Sequence, residues 1–416
     1  MLLERLFRWR LYPAAFQAGT LTAIGLVAVL ALLPPRHSEV NVGAVLVWQL
    51  WWALLPFTVL LAARTWCAVC PFPALGTLAQ RVRPPAPPPP ALVRRAGPWT
   101  ATMGLSALGF LFLLLSIESN GPATAALLGA FAVGSVATAL VWRGRTWCRY
   151  LCPIGLMTGL YSRLAWTRLE SRSPAVATAT AVPLCPVSTS PASSRRTQDC
   201  VLCAACLKRS AGDSVTVRLG PPSTALPSLT SAEAAAVTVL AGLLLADAWR
   251  MTPLYPRFIA WALPRLGGSY DLAMGLGVAG LVGLLVGGQV GIVVLSGRGE
   301  SFGARFVHAS AALVPLALAA HLALSAQHLS ALWEVARNLG AELGLVASGH
   351  LPPADLYVTW WPLKGLQLAG LAAAGVVSLL LAGGGAERPQ VVSSIPSVAL
   401  ALALLVLFAL PMSASC

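Results

Sequence analysis

The chain has 416 residues, of which 57% are hydrophobic and 10% charged, with a formal net charge of +14. A soluble domain carries about 25% charge; here apolar runs of about 20 residues recur along the whole length, which excludes a soluble globular protein and describes a polytopic membrane protein. The basic balance does not signal nucleic acid, because no soluble basic domain is present to hold it; arginine in such a chain marks the cytoplasmic face and anionic headgroups.

Arg5, Arg8 and Arg10 precede an apolar run over residues 16–33. Pro34-Pro35-Arg36-His37 follows in place of a small-residue cleavage site, so the run reads as an uncleaved anchor. The second span, residues 43–63, contains Trp48, Trp51 and Trp52 and ends in Arg64-Thr65-Trp66-Cys67-Ala68-Val69-Cys70-Pro71. Residues 80–98 place Arg81, Arg83, Arg94 and Arg95 around a proline run from Pro84 to Pro90, a composition that predicts a stiff, extended spacer. The third span covers residues 99–117 and turns at Glu118-Ser119-Asn120-Gly121-Pro122. The fourth covers residues 123–142 and delivers Gly144-Arg145-Thr146-Trp147-Cys148-Arg149-Tyr150-Leu151-Cys152-Pro153.

Apolar residues from Ile154 to Leu169 then recur among Arg163, Arg168 and Arg172, a pattern that predicts a short basic helix in the membrane interface. Residues 173–230, rich in Ser, Thr, Pro and Ala, hold Cys185 and the trio Cys200-x2-Cys203-x2-Cys206. This insertion is too small and irregular to bury a core of its own, so it depends on a metal or a disulfide. Five further spans are expected at residues 232–248, 271–296, 306–329, 363–383 and 395–411. Within them, Gly283, Gly287 and Gly291 have a spacing that lets helices approach, read here as generic packing. The expected fold is therefore an all-α polytopic membrane protein of about nine helices. Its parts are an N-terminal membrane region of four helices (1–172), a cysteine-rich cytoplasmic insertion (173–230) and a C-terminal membrane region of about five helices (231–416).

With the N-terminus inside, most of the 28 Lys and Arg fall in segments on one side, including 64–98 and 143–230. The positive-inside rule makes that side cytoplasmic and places Cys416 outside. Cytosolic thiols are kept reduced, so close sets of them bind metal or do redox chemistry more readily than they form structural disulfides. The trio folds three thiolates around one corner, as bacterial ferredoxins do, whereas zinc sites set two pairs apart. The two helix-end pairs, Cys67 with Cys70 and Cys148 with Cys152, make a second four-thiolate site if they meet. Trp66 and Trp147 would fix the depth of that site at the interface, and Arg64, Arg143, Arg145 and Arg149 would offset its charge.

Gly144-Arg145-Thr146-Trp147-Cys148-x3-Cys152-Pro153, the shorter Trp66-Cys67-x2-Cys70-Pro71 and the downstream trio resemble the NapH/NosR-type polytopic membrane iron–sulfur proteins. The match covers residues 60–225, including Arg218-Leu219-Gly220-Pro221-Pro222. The resemblance implies one or two 4Fe-4S clusters on Cys67, Cys70, Cys148, Cys152, Cys185, Cys200, Cys203 and Cys206. It also implies electron transfer between a quinol pool or cytoplasmic donor and a periplasmic reductase or cytochrome in the bacterial inner membrane, as a quinol dehydrogenase or an electron-transfer subunit. Three features depart from the family. The first pair has two intervening residues instead of three; Ser210-Ala211 stands where a fourth Cys followed by Pro would continue the ferredoxin motif; and the outer loops are too short for a flavin domain. Cys185-Pro186 is the candidate for the missing thiolate.

His308, His321 and His328 lie in or beside the seventh span, where ionisable residues are functional candidates. His321 and His328, seven apart, share a helix face and could hold haem, a metal ion or a quinol; each taken singly better suits a hydrogen bond to a neighbouring helix backbone. The outer loop 330–362 adds Glu342 and His350 at no compelling spacing. Three other functions compete with electron transfer: metal reduction or assembly for a periplasmic copper enzyme, a membrane thiol–disulfide oxidoreductase, and a structural zinc anchor.

Overall fold

The computed structural model describes residues 2–34, 41–82, 87–171, 185–187, 200–209, 215–220, 229–295, 301–330, 332, 340, 361–383 and 391–412. The Ser210-Ala211 step, Pro221-Pro222, Glu342 and His350 lie outside these residues. The described chain is mostly helical. In order, its elements are α1 (Leu2–Arg8), α2 (Ala14–Leu32), α3 (Val42–Ala62), α4 (Thr65–Val69), α5 (Pro71–Val82), α6 (Ala91–Leu115), α7 (Gly121–Val141), α8 (Pro153–Tyr161), β1 (Thr167–Ser171), α9 (Ala205–Arg209), β2 (Val215–Leu219), α10 (Ser231–Arg250), α11 (Leu254–Ala262), α12 (Tyr270–Leu295), α13 (Phe302–Ser330), α14 (Trp361–Gly383) and α15 (Val391–Ala409). Among the described residues eight helices, α2, α3, α6, α7, α10, α12, α13 and α14, are long and apolar enough to cross a membrane. The ninth expected stretch forms α15, whose apolar part, Ser394–Ala409, is shorter.

The chain divides into two compact units. The first comprises Met1–Leu32, Phe57–Leu105 and Pro122–Pro227; the second comprises Leu33–Pro56, Ser106–Gly121 and Ser228–Cys416.

The first unit carries all eight motif cysteines. Its core joins Phe7 and Tyr12 from the N-terminal segment to Ala63, Ala68, Leu169, Leu202, Leu207 and Val215. Two segments depart from the sequence reading. The stretch after Cys152 is not a helix lying in the interface. It forms the buried helix α8, a short 3-10 turn in which Arg163 is buried, and then strand β1. Thr167 and Leu169 alternate inward, and β1 pairs antiparallel with β2, Thr167 opposite Leu219 and Ser171 opposite Val215. A strand needs a partner for its backbone groups; this one lies beyond the insertion, out of reach of any local pattern. β1 is also pinned to the end of α3, because Trp166 N donates to Leu60 O at 2.9 Å and Thr167 Oγ1 to Leu61 O at 2.6 Å.

The second departure is the proline-rich segment. It is helical up to Val82 and again from Ala91, with Pro98 inside α6, and only Pro87–Pro90 of its described residues are irregular. α5 has a specific task. Gln80 Nε2 donates to the carbonyls of Ala139, Trp142 and Gly144 at 3.0–3.2 Å. A helix leaves its last carbonyls without partners, and Gln80 supplies one where α7 gives way to the second cysteine motif.

The second unit is built on α10, whose start is fixed by a capping box of Thr230 and Glu233. Most of α10 is buried. Leu243 and Ala246 of α10 meet Leu113, Met274, Val278 and Val282 in one core. The Gly283, Gly287 and Gly291 stripe makes no close helix contact, since a Cβ at any of them would find nothing within 4 Å. Close approach occurs at Gly242 instead, where a Cβ would stand 3.1 Å from Val282 Cα. Arg250, buried, reaches Leu113 O at 3.0 Å and Glu118 at 3.2 Å, with Asp247 at 3.9 Å. Burial raises the pKa of the Glu118 carboxyl, and the Arg250 charge opposes the rise.

Gln80→Ala should leave three carbonyls at the end of α7 without this donor and cost about 1–2 kcal/mol. Thermal unfolding of the detergent-solubilised protein checks this, with Thr77→Ala on the exposed face of α5 expected to be near neutral.

Candidate iron–sulfur site

The two helix-end motifs fold alike. Each leaves a span, turns once, and ends in a Cys-Pro that starts a new helix. Proline suits the first helical position, where its missing N–H would be unpartnered anyway. Cys70 therefore stands before α5 and Cys152 before α8. Cys152 is the N-cap of α8, its Sγ accepting from Gly155 N at 3.2 Å. The residue matching Gly155 in the first motif is Pro73, which has no N–H. Cys70 takes its backbone hydrogen bond from Phe72 instead. A helix N-terminus favours negative charge, so both positions suit a thiolate.

The motifs differ by one residue, and the backbone absorbs it. The first pair lies on the short helix α4 and its end. In the second, Trp147–Leu151 form a π-helical turn closed by Cys152 N donating to Trp147 O at 2.9 Å. A π turn is the local form that an inserted residue takes inside a helix.

Cys67, Cys70, Cys148 and Cys152 lie within electrostatic reach of one another. Burial pushes the Cys148 thiol up to about 11, and Cys67 adds to the rise. Burial likewise raises Cys70 and Cys152, each with further upward pressure from the neighbouring cysteines. Arg145 and Arg64 oppose the rise at Cys148. Both arginines also hold the motifs together by hydrogen bonds that cross between them, Arg64 Nη2 to Cys148 O at 3.2 Å and Arg145 Nη1 to Cys67 O at 3.0 Å. Cys67 Sγ lies 3.7 Å from Thr158 Oγ1 of α8. A Cβ at Gly155 would stand 2.8 Å from Cys148 O and 3.2 Å from Arg64 Nη2, so only glycine fits there. Arg149 donates to Val187 O and lies over the Tyr150 ring.

The second group is Cys185, Cys200, Cys203 and Cys206. Cys200 interacts electrostatically with the other three. Burial raises Cys200 and Cys203 and pushes Cys206 up to about 11. Cys200 Sγ accepts from Leu202 N at 3.5 Å. Leu202 and Ala204 have φ of +50° and +60°, left-handed values that cost a non-glycine residue about 1–2 kcal/mol. These left-handed residues bend the chain between successive cysteines.

The N-terminal segment covers this loop, a role that nothing in its sequence signals. Phe7 and Tyr12 pack on Leu202, Ala204 and Leu207. Tyr12 Oη donates to Leu202 O at 2.9 Å, and Lys208 Nζ donates to Tyr12 O. Tyr12, Thr158, Pro73 and Gly155 are the neighbours of the cysteines that sequence reasoning missed. The glycine three residues after Cys152 was the one legible signal.

Among the described residues no group of three or more His, Cys, Asp or Glu could hold a metal ion. A mononuclear zinc site would draw four sulfurs to about 3.8 Å from one another. A 4Fe-4S cluster places a separate iron behind each thiolate and tolerates wider spacing, so two groups of four thiols, Cys148 buried and the others half-buried, fit the cluster better than single ions. His321 and His328 lie within electrostatic reach of each other on α13, and the His321 ring lies 5.4 Å from that of Trp52; His308 is exposed.

Residues 44–90 and 124–170 each match the family model of a 4Fe-4S binding domain. No curated protein and no solved structure matches the chain. The two matched segments contain the two Cys-Pro motifs, and Cys185, Cys200, Cys203 and Cys206 fall outside them. Two segments of the chain thus match a 4Fe-4S binding domain, which suggests iron–sulfur electron transfer.

Ala204→Gly should keep iron loading at the wild-type level, because glycine adopts the left-handed backbone without strain. Ala204→Val, β-branched and buried, should lower loading severalfold. Iron per chain after anaerobic purification decides between them.

Proposed function

We propose that this protein is a membrane electron carrier with two 4Fe-4S clusters, one held by Cys67, Cys70, Cys148 and Cys152 and the other by Cys185, Cys200, Cys203 and Cys206. The observation that carries the reading is the meeting of two matched segments at four thiols, one buried and three half-buried, flanked by Arg64 and Arg145. A bound cluster supplies one-electron exchange. The protein's own contribution is to bury the thiols, to donate N–H groups to Cys70 and Cys152, and to supply fixed positive charge. Burial and hydrogen bonds to sulfur are the levers that set a cluster's potential.

The finer reading is of the NapH/NosR type, in a bacterial inner membrane with nine spans. Both cysteine groups face the cytoplasm, and electrons pass from a quinol or a cytoplasmic donor to a periplasmic redox protein. The arginine distribution and the resemblance of the motifs support it. The paired histidines on α13 are the positions for a quinol or haem in that reading.

Anaerobically purified protein should contain about eight iron and as many acid-labile sulfides per chain. Zinc in their place would overturn the proposal. Cys185→Ala should lower iron about as far as Cys203→Ala does; full retention would give the fourth place in that group to Ser210 or to a non-protein ligand.

An epitope inserted at Ser190 should be reached only after the cytoplasmic face is opened. Detection from the outside in intact cells would reverse the orientation.

A further inference from the structure

We propose that Arg145 is a positioning residue shared by the two cysteine groups, its one guanidinium charge setting the reduction potential at both. The inference rests on the two-cluster reading above.

Arg145 lies three residues before Cys148, yet it touches both groups through the backbone. Its Nη1 donates to Cys67 O at 3.0 Å, and its own N–H donates to Pro186 O at 2.8 Å, one residue from Cys185. The preceding residue permits this approach. Gly144 has φ +76°, and a Cβ there would stand 2.8 Å from Pro186 O. The charge of Arg145 acts on Cys148 in one group and on Cys203 in the other. Among the described residues no carboxylate pairs with it, so its field falls on the thiols.

Transfer between clusters held by the two groups would move one electron, oxidising one by one equivalent and reducing the other by one, with no bond formed or broken. A cation between two such sites stabilises the added electron on either of them. It therefore raises both potentials together and adds little bias to the step between them. Arginine suits this place because it keeps its charge at all working pH values and its planar fork fixes where that charge stands.

The test begins with wild-type protein. Absence of iron and sulfide would sink the two-cluster reading itself. With both present, the fully reduced protein should show spin–spin broadening in its paramagnetic resonance spectrum, lost in Cys203→Ser. No broadening would overturn the shared position of Arg145 while leaving the clusters in place. In redox titrations, Arg145→Gln should shift both midpoint potentials to more negative values. Arg218→Gln, the same loss of net charge at an exposed site, should shift neither. Movement of only one potential, or of none, overturns the proposal. If Arg145→Gln loses its iron, Arg145→Lys takes its place; this shorter cation should keep the iron and move both potentials the same way by less, and unchanged potentials would count against the proposal.

Discussion

A thiol that ionises away from water must be given a positive charge, or it stays protonated. That constraint organises the first unit. Six of the cysteines are shifted up, burial being the largest cause at each, and neighbouring cysteines add to the rise at each of them. The chain answers with fixed dipoles and fixed charge: helix starts behind Cys70 and Cys152, and guanidinium groups at Arg64 and Arg145. Each arginine comes from one motif and donates to a carbonyl of the other, so the groups that offset the charge also hold the halves in register. The second unit shows the same rule, with Arg250 buried between Glu118 and Asp247.

What could be read from the chain alone was whatever depends on local pattern. Span after span was legible, because a bilayer demands about 20 apolar residues in a row and the helix satisfies its own backbone. The two Cys-Pro motifs were legible because cysteine, proline and tryptophan each carry a distinct physical preference. The partners of those motifs were not. β1 needs β2, which lies beyond a polar insertion, and alternation over five residues cannot compete with a helical reading of the same apolar positions. Tyr12 reaches Leu202 across 190 positions of sequence. The proline run suggested an extended spacer, yet Gln80, at its edge, is the residue that caps α7.

The single-residue difference between the two motifs was visible as a departure from a family pattern, but its resolution was not. Spacing says how many residues separate two thiols; it does not say that one pair sits on an α turn and the other on a π turn. Nor does it say that proline at one start and glycine at the other redirect the N–H that each second cysteine receives.

The division of the first cysteine group between two repeats has a consequence for how the protein holds together. Each repeat brings only two thiols, so neither can retain a four-coordinate inorganic core by itself. In the proposed two-cluster reading, a core held by all four would be a cross-link between residues some 80 positions apart, closing a loop of the size at which such closure removes much of the freedom of an unfolded chain. Metal retention would then report on the integrity of both repeats at once: a lesion at Gln80, ten residues along α5 from Cys70, would surface first as lost iron.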